Sequence, residues 1–364
     1  MLSPEIKDAI IRELSELVSK SGHFQYAGRY CEQLCVNLSE ICHSPHILLT
    51  SSGTAGVEIA LRAAGISPGD RVLLSAYDYP GNFWAVERVG ARPVLLDVEA
   101  SGWRISVSAA EDVLDHSAPA KPRALIASHL HGQLQDAAAL RSLCEKHGVL
   151  FVEDSCQAIG AQVGGRPAGN WGHVGIFSFG GGKVLSAGRG GALATSDPML
   201  AQRMVIAAGA GSGPYAMSEL QAATLLPQLN YLASTNEACV RYFASLAELL
   251  QTQEVCAPWV GNIANSAFYQ AGFLLPSRHE ATKPLQAKIL QAFAQAGISG
   301  GSGFPGFHRR STRRCEHGVP LRNTSTLVDR TWVLHHQVAL DGQRNPRQLS
   351  ELILPLLPSI SGLP

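Results

Sequence analysis

The sequence has no excess of either charge: 29 Lys and Arg balance 29 Asp and Glu over 364 residues. That leaves no electrostatic footprint for nucleic acid or for an acidic membrane surface. A long apolar run is also missing, and no stretch reaches the span a transmembrane helix needs. The opening MLSPEIKDAIIRELSELVSK mixes charges with apolar residues at helical spacing, so no secretory leader is expected. Eight cysteines are present but none forms a C-x-x-C pair. Reduced thiols in a cytoplasmic chain are therefore the expectation. Cys31, Cys35 and Cys42 with His43 fit no zinc spacing, so no metal is expected. Internal repeats and low-complexity segments are absent as well. What remains is a neutral chain long enough for two domains, or for one large domain with an appendage.

Short apolar runs alternate with helical patterns. RVLLSA (71–76), PVLLDV (93–98), RALIAS (123–128), VLFVED (149–154), VGIFSF (174–179) and GGALATS (190–196) read as buried strands. TAGVEIALRAAG (54–65), NFWAVERVG (82–90) and DAAALRSLCEKHG (136–148) read as helices ending at Gly65, Gly90 and Gly148. Continuously apolar strands alternating with helices predict an α/β fold with a mostly parallel sheet covered on both faces. Ligands of such sheets sit at the carboxyl ends of the strands. After about residue 235 the pattern changes. A long helix, a lone strand in SAFYQAGFLLP (266–276), a helix over 283–297, an irregular stretch, the strand TWVLHH (331–336) and a last helix from Pro346 suggest a smaller α+β domain. The division predicted is 1–235, an N-terminal helix with a large α/β domain, and 236–364, a smaller α+β domain.

Three constellations at strand ends carry candidate chemistry. In FSFGGGKVLSAGRGG, Lys183 stands among glycines with no acid within five residues on either side. Three readings are open. It could be a solvated surface lysine. It could belong to a phosphate loop, although Phe177 and Val184 stand where G-x-x-x-x-G-K-[ST] needs Gly and Ser or Thr. Or it is an amine in a dry pocket, whose pKa falls so that it attacks carbonyls and holds an aldehyde cofactor as a Schiff base. In VLFVEDSCQAIGA, Asp154 ends an apolar strand, where a carboxylate needs a partner such as an arginine or a protonated ring nitrogen. Gln157 follows within reach of the same ligand. In SSGTAGVEIALRAAG, Gly53 and Thr54 open a helix and either cap it or cradle an anion at its positive end. Together these groups match the needs of pyridoxal 5′-phosphate: donors for the phosphate, an anion for the pyridine nitrogen, an amine for the aldehyde.

The ordered set SSGTAGVEIALRAAGISPGDRVLL, VGARPVLLDV, HLHGQLQDAAAL, VEDSCQAIGA, IFSFGGGK, GGALATSD and MSELQAA resembles the DegT/DnrJ/EryC1/StrS family. Those proteins are pyridoxal-phosphate-dependent sugar aminotransferases of fold type I. The resemblance covers most of the chain, and E-D-x-x-Q-A followed by F-S-F-x-x-x-K is its most specific part. It implies that Lys183 forms the Schiff base and shuttles the proton, and that Asp154 pairs with the pyridinium. Gln157 is implied to lie near the ring's phenolic oxygen. Ser178, Gly53 and Thr54 would hold the phosphate, and Tyr79 would stack on the ring. It implies an amino donor, glutamate or glutamine, and a keto sugar or cyclic polyhydroxy ketone as acceptor, in a biosynthetic pathway. A homodimer with active sites at the subunit interface is also implied; the neutral charge and the lack of a long apolar run leave neither nucleic acid nor membrane as an expected partner. A branch of the family has histidine at the lysine position and removes a sugar hydroxyl; Lys183 argues against it. Elimination or decarboxylation on the same residues, and a cofactor-bound sensor without turnover, are the alternatives.

Three departures mark this chain. Gly213-Pro214-Tyr215-Ala216 stands where the family carries Y-N-Y-R, whose Asn reaches the partner subunit's phosphate. Gly188-Arg189-Gly190-Gly191 replaces G-E-G-G, which makes Arg189 a substrate candidate. Gly180, Gly181 and Gly182 replace bulkier residues and would widen the pocket or loosen the loop. His308, in GFPGFH, is a second substrate candidate. His129 and His131 flank a strand end near the expected cofactor, whereas His335 and His336 read as structural. HRRSTRR (308–314) reads as a solvated loop. The GAGSG run (209–213) is a poor dinucleotide signature because no strand precedes it.

Overall fold

The computed structural model describes residues 4–21, 28–116, 120–209, 213–251, 254–276 and 282–357. Residues 210–212 of the GAGSG run lie outside the described residues. The strands are β1 (His46–Thr50), β2 (Arg71–Ser75), β3 (Arg92–Leu96), β4 (Ala124–Ser128), β5 (Leu150–Asp154), β6 (Gln162–Val163) and β7 (Arg166–Pro167). They continue with β8 (Val174–Ser178), β9 (Gly191–Thr195), β10 (Gln270–Leu274), β11 (Gly300–Gly301), β12 (Glu316–His317) and β13 (Thr331–His335).

The main sheet has the order β1-β9-β8-β5-β4-β2-β3-β12. The members from β8 to β12 run parallel, and β9 is antiparallel to both β8 and β1. The sequence of β4, ALIAS, shows why both faces are covered. Ala124 and Ile126 pack with Val57, Ile59 and Phe83 from the helices Gly53–Ala63 and Pro80–Arg88. Leu125 and Ala127 pack with Ala110, Leu114 and Leu140 from the helices Val107–His116 and Ala137–His147. Each fully buried Leu or Ile stabilises by about 1.5–3 kcal/mol, which is why the run has no polar alternation. The predicted helix ends also hold. Asp136 accepts from Ala139 N–H to start one helix, and Gly148 at φ 66 closes it in the left-handed region.

Beyond residue 231 a helix Leu232–Gln251 leads into a second sheet of order β10-β13-β11. The strand expected to stand alone over 266–276 is in fact the edge partner of β13, antiparallel over Gln270↔His335 to Leu274↔Thr331. Pairing between segments so distant in sequence leaves no local mark. The core of this region is aromatic, with Phe273 and Trp332 stacked 4.5 Å apart. The stretch expected to be irregular, 297–315, yields β11, and directly after it comes β12. The latter leaves its own region and extends the main sheet, pairing parallel to β3 through Glu316↔Val94 and His317↔Leu95. Glu316 is fixed there by Arg71 at 2.7 Å and Arg92 at 3.0 Å. Past the end of β3, Asp97 accepts from the N–H groups of Asn323 and Thr324 and from the Thr324 hydroxyl.

Candidate active site

The carboxyl ends of β5 and β8, the start of the helix Gly53–Ala63, the segment after β4 and the start of β10 enclose a cavity of about 340 Å³. Gly53, Thr54, Tyr79, Asp154, Gln157, Ser178, Lys183 and Arg189 all lie on its wall. His308 does not. It sits on the loop between β11 and β12, and neither ring nitrogen has a hydrogen-bond partner among the described residues.

Asp154 is buried at the end of β5, and its carboxylate accepts from three donors. Asn82 Nδ2 and Ser128 Oγ donate to Oδ2 at 2.8 and 3.0 Å, and Cys156 N–H donates to Oδ1 at 3.0 Å. Such donors fix the direction of its oxygens. Asn82 also donates to Asp78 Oδ2 at 3.2 Å, so one amide bridges two carboxyls. Asp78 is completely buried beside a charge of its own sign, and burial followed by Asp154 pushes its pKa up to about 7.

Lys183 lies five residues beyond the end of β8, in a turn where its N–H donates to Gly180 O at 3.1 Å. Burial in the cavity wall lowers the pKa of its amine; the nearby Cys156 and Asp154 oppose that shift but do not cancel it. Its Nζ rests 3.9 Å above the centre of the Tyr269 ring. A charge on that face is attracted by the ring quadrupole, which gives the amine a defined seat.

At the phosphate-like corner, Ser52 caps the helix through Ala55 N–H at 3.1 Å, so Gly53 and Thr54 form its first turn. A side chain at position 53 would collide: its Cβ would stand 2.6 Å from Cys156 Sγ and 3.1 Å from Ser178 Cβ. Glycine lets the positive end of the helix approach Ser178 closely, the geometry of an anion cradle. Across the cavity, Gln157 Oε1 accepts from His131 N–H at 3.1 Å. Its oxygen is thereby committed, and its amide nitrogen is the end left to donate to a ligand oxygen.

Several wall residues were not anticipated. Asn82, Tyr269, Gln270 and Phe304 line the cavity, and Phe304 stands 5.9 Å from the Tyr79 ring. The polar Asn82 at the start of an otherwise apolar helix was a usable signal; Tyr269, Gln270 and Phe304 arrive from remote segments and carried none. His129 lines the cavity as well. Its Nδ1 accepts from Gln135 N–H, which places the proton on Nε2 for donation to Glu153 at 2.8 Å. His131 bonds to the Tyr77 hydroxyl at 3.0 Å, and burial drives its pKa down to about 3, keeping it neutral.

The sequence profile of the DegT/DnrJ/EryC1/StrS aminotransferase family matches residues 4–347. The chain belongs to that family. It is similar to L-glutamine:scyllo-inosose aminotransferase of Streptomyces griseus, 30% identical over 328 residues, 81% of this chain and 76% of that one. It is likewise similar to the pleiotropic regulatory protein of Geobacillus stearothermophilus, 30% identical over 258 residues, 68% of each chain. Its fold matches the crystal structure of a DegT DnrJ EryC1 StrS aminotransferase from Brucella abortus with a TM-score of 0.86, at 23% identity, covering 98% and 97% of the two chains. Membership makes the chain a pyridoxal-phosphate-dependent aminotransferase of the expected α/β fold. The departures from the DegT/DnrJ/EryC1/StrS pattern have definite places. Tyr215 turns back onto the helix Gly53–Ala63, where its hydroxyl donates to Glu58 at 2.7 Å. Arg189 faces the cavity from a segment whose carbonyl accepts from Gln221 Nε2 at 3.0 Å.

Proposed function

We propose that the cavity holds pyridoxal 5′-phosphate and transfers an amine from glutamate or glutamine to a keto sugar or a related cyclic polyhydroxy ketone. The observation that carries this is the pairing of an amine lowered in pKa, Lys183, with a fixed carboxylate, Asp154, in one cavity beside a helix start. The donor set suits the cofactor at each corner. The first turn of the helix with Thr54 and Ser178 would take the phosphate, Asp154 the ring nitrogen, the Gln157 amide the phenolic oxygen, and Tyr79 a ring face. When bound, the cofactor supplies an electron sink for charge developing at a substrate carbon.

The chain's own residues then have distinct tasks. Lys183 supplies the amine that meets the aldehyde, and its lowered pKa raises the fraction present as free base. With the donor's amine in its place, its Nζ would be free to accept the proton from the donor carbon as general base and to give it back as general acid. Asp154, held by Asn82, Ser128 and Cys156 N–H, would be the partner of the ring nitrogen. Tyr79, Phe304 and Tyr269 give apolar faces on which the C–H side of a polyhydroxy ring can rest. Arg189 is positioned for an anionic group of donor or acceptor.

The similarity to a scyllo-inosose aminotransferase supports the cyclitol-type acceptor. By family resemblance the working unit is a cytoplasmic homodimer in a biosynthetic route of secondary metabolism. The division into 1–235 and 236–364 belongs to the same reading. Among the described residues no helix is long and apolar enough to cross a membrane. The similarity to a pleiotropic regulatory protein favours a second reading, a cofactor-bound regulator without turnover.

The test is the visible spectrum of the purified protein with pyridoxal phosphate, before and after L-glutamate, beside Lys183→Ala. A visible band that glutamate bleaches, and that Lys183→Ala lacks, supports the transaminase. A band that no amine donor alters supports the regulator. No band in the wild-type protein defeats both.

A further inference from the structure

The glycine run before the catalytic lysine has a partner that the proposed chemistry leaves unused. His335, the last residue of β13, points its ring at this run. A Cβ at position 182 would stand 3.0 Å from His335 Nε2 and 3.4 Å from its Cε1. Any residue other than glycine there would press on the imidazole, so Gly182 and His335 depend on each other. The ring's orientation is fixed on its other side, where Nδ1 accepts from Gln337 N–H at 3.4 Å. That leaves Nε2 as the protonated nitrogen, on the side that faces Gly182.

The same imidazole meets the lysine's seat from behind. Tyr269 and His335 make an edge contact with ring centroids 5.1 Å apart at 80°, and the Lys183 amine lies 3.9 Å over the Tyr269 ring. Tyr269 immediately precedes β10, whose first residue Gln270 pairs with His335 in the ladder. His335 is itself anchored by its N–H to Ser299 O at 2.9 Å. His335 therefore touches the main chain next to Lys183 and also the ring under its tip.

We propose that His335 is a positioning residue for Lys183: it braces the Gly180–Lys183 turn at Gly182 and the Tyr269 ring beneath the amine, so that the second sheet sets the lysine's reach into the cavity. This rests on the reading of Lys183 as the amine that meets the cofactor. It also explains Gly182, which admits the imidazole instead of merely widening the pocket. Burial keeps the ring neutral at working pH. The titratable groups around the pair are His336 beside His335, Tyr269 between the two, and Asp154 with Cys156 facing the lysine.

The test compares wild type, His335→Ala, His335→Gln and Gly182→Ala, each loaded with pyridoxal phosphate. The readouts are the pH midpoint of the lysine-dependent visible band and the rate of its bleaching by L-glutamate at saturation. For both His335→Ala and Gly182→Ala, the midpoint should move by about half a unit or more and the saturated rate should fall about tenfold, with half-saturation by glutamate changed less than about threefold. His335→Gln retains a donor toward Gly182 and should recover much of the rate. Variants that keep the wild-type midpoint and rate overturn the inference. So does His335→Ala losing activity while Gly182→Ala matches wild type, since both break the same contact. Should His335→Ala fail to fold, Gly182→Ala alone decides. A wild-type protein without the band defeats the cofactor reading itself, and this inference with it.

Discussion

Replacing Asp78 with Asn tests whether the carboxyl behind Asp154 is held neutral at a cost to the fold. Burial first, then the Asp154 charge, raise Asp78 from 3.8 to about 7 in the folded chain. In the unfolded chain an aspartate titrates near 3.9, and each unit of difference corresponds to about 1.4 kcal/mol, giving roughly 4 kcal/mol in all. Between about pH 4 and 7 the folded state retains a proton that the unfolded state has released. Stability contributed by this group is therefore complete below about pH 4 and is lost as pH rises toward 7. Asn at 78 keeps an oxygen for the Tyr79 N–H, which donates to Oδ1 at 2.7 Å, but does not titrate. Weakening of the 3.2 Å bond from Asn82 would offset the variant equally at every pH, so the slope is the signal. Urea unfolding of cofactor-free protein at about pH 4.5, 5.5, 6.5 and 7.5 should show wild type losing roughly 3 kcal/mol relative to Asp78→Asn, the remainder falling outside that range. Parallel stability profiles for the two proteins would refute the argument.

Two further outcomes are expected. Gly53→Ala should weaken pyridoxal phosphate binding at least about tenfold, near 1.4 kcal/mol, because the new Cβ would sit 2.6 Å from Cys156 Sγ and push the helix start off the anion corner. Absorbance titration measures it, and adding Cys156→Ala should restore most of the loss; unchanged affinity in the single variant would contradict the cradle. Glu153→Ala should destabilise the fold by about 3–5 kcal/mol in urea unfolding, since this buried carboxylate accepts from His129 Nε2 and from the N–H groups of Gly169, Trp171 and Gly172. A loss below about 1 kcal/mol would show that water or a neighbour replaces it.

The parts of this molecule that sequence reasoning reached share one property: their signal is local. β4 reads as a buried strand because five successive residues are small or apolar, and Lys183 and Asp154 are conspicuous because each interrupts such surroundings. The cavity's far wall is different. Tyr269 and Phe304 look like ordinary core aromatics until β10, β11 and β13 assemble and carry them across to Tyr79 and Lys183. Asp78 sits in YDYPGN, a stretch that reads as a polar turn, yet it is fully buried because Asn82 and the Tyr79 N–H satisfy it. His335 read as structural because nothing within ten residues of it hints at Gly182. His308, singled out from its loop, is not on the cavity wall. A lone histidine on an irregular segment gives direction only when the segment's path is known.

The pairing of β12 with β3 also bears on how the chain is made. The two-residue strand that finishes the main sheet is drawn from the last sixth of the sequence, and the Arg71–Glu316 contact beside it spans 245 residues. During synthesis, β1 to β9 emerge long before that strand does. For all that time β3 presents an open edge of unpaired N–H and C=O groups, the kind of edge that recruits other chains. Birth is thus the vulnerable stage for this protein, and the arginines Arg71 and Arg92 standing at that edge keep it charged until Glu316 arrives to neutralise them.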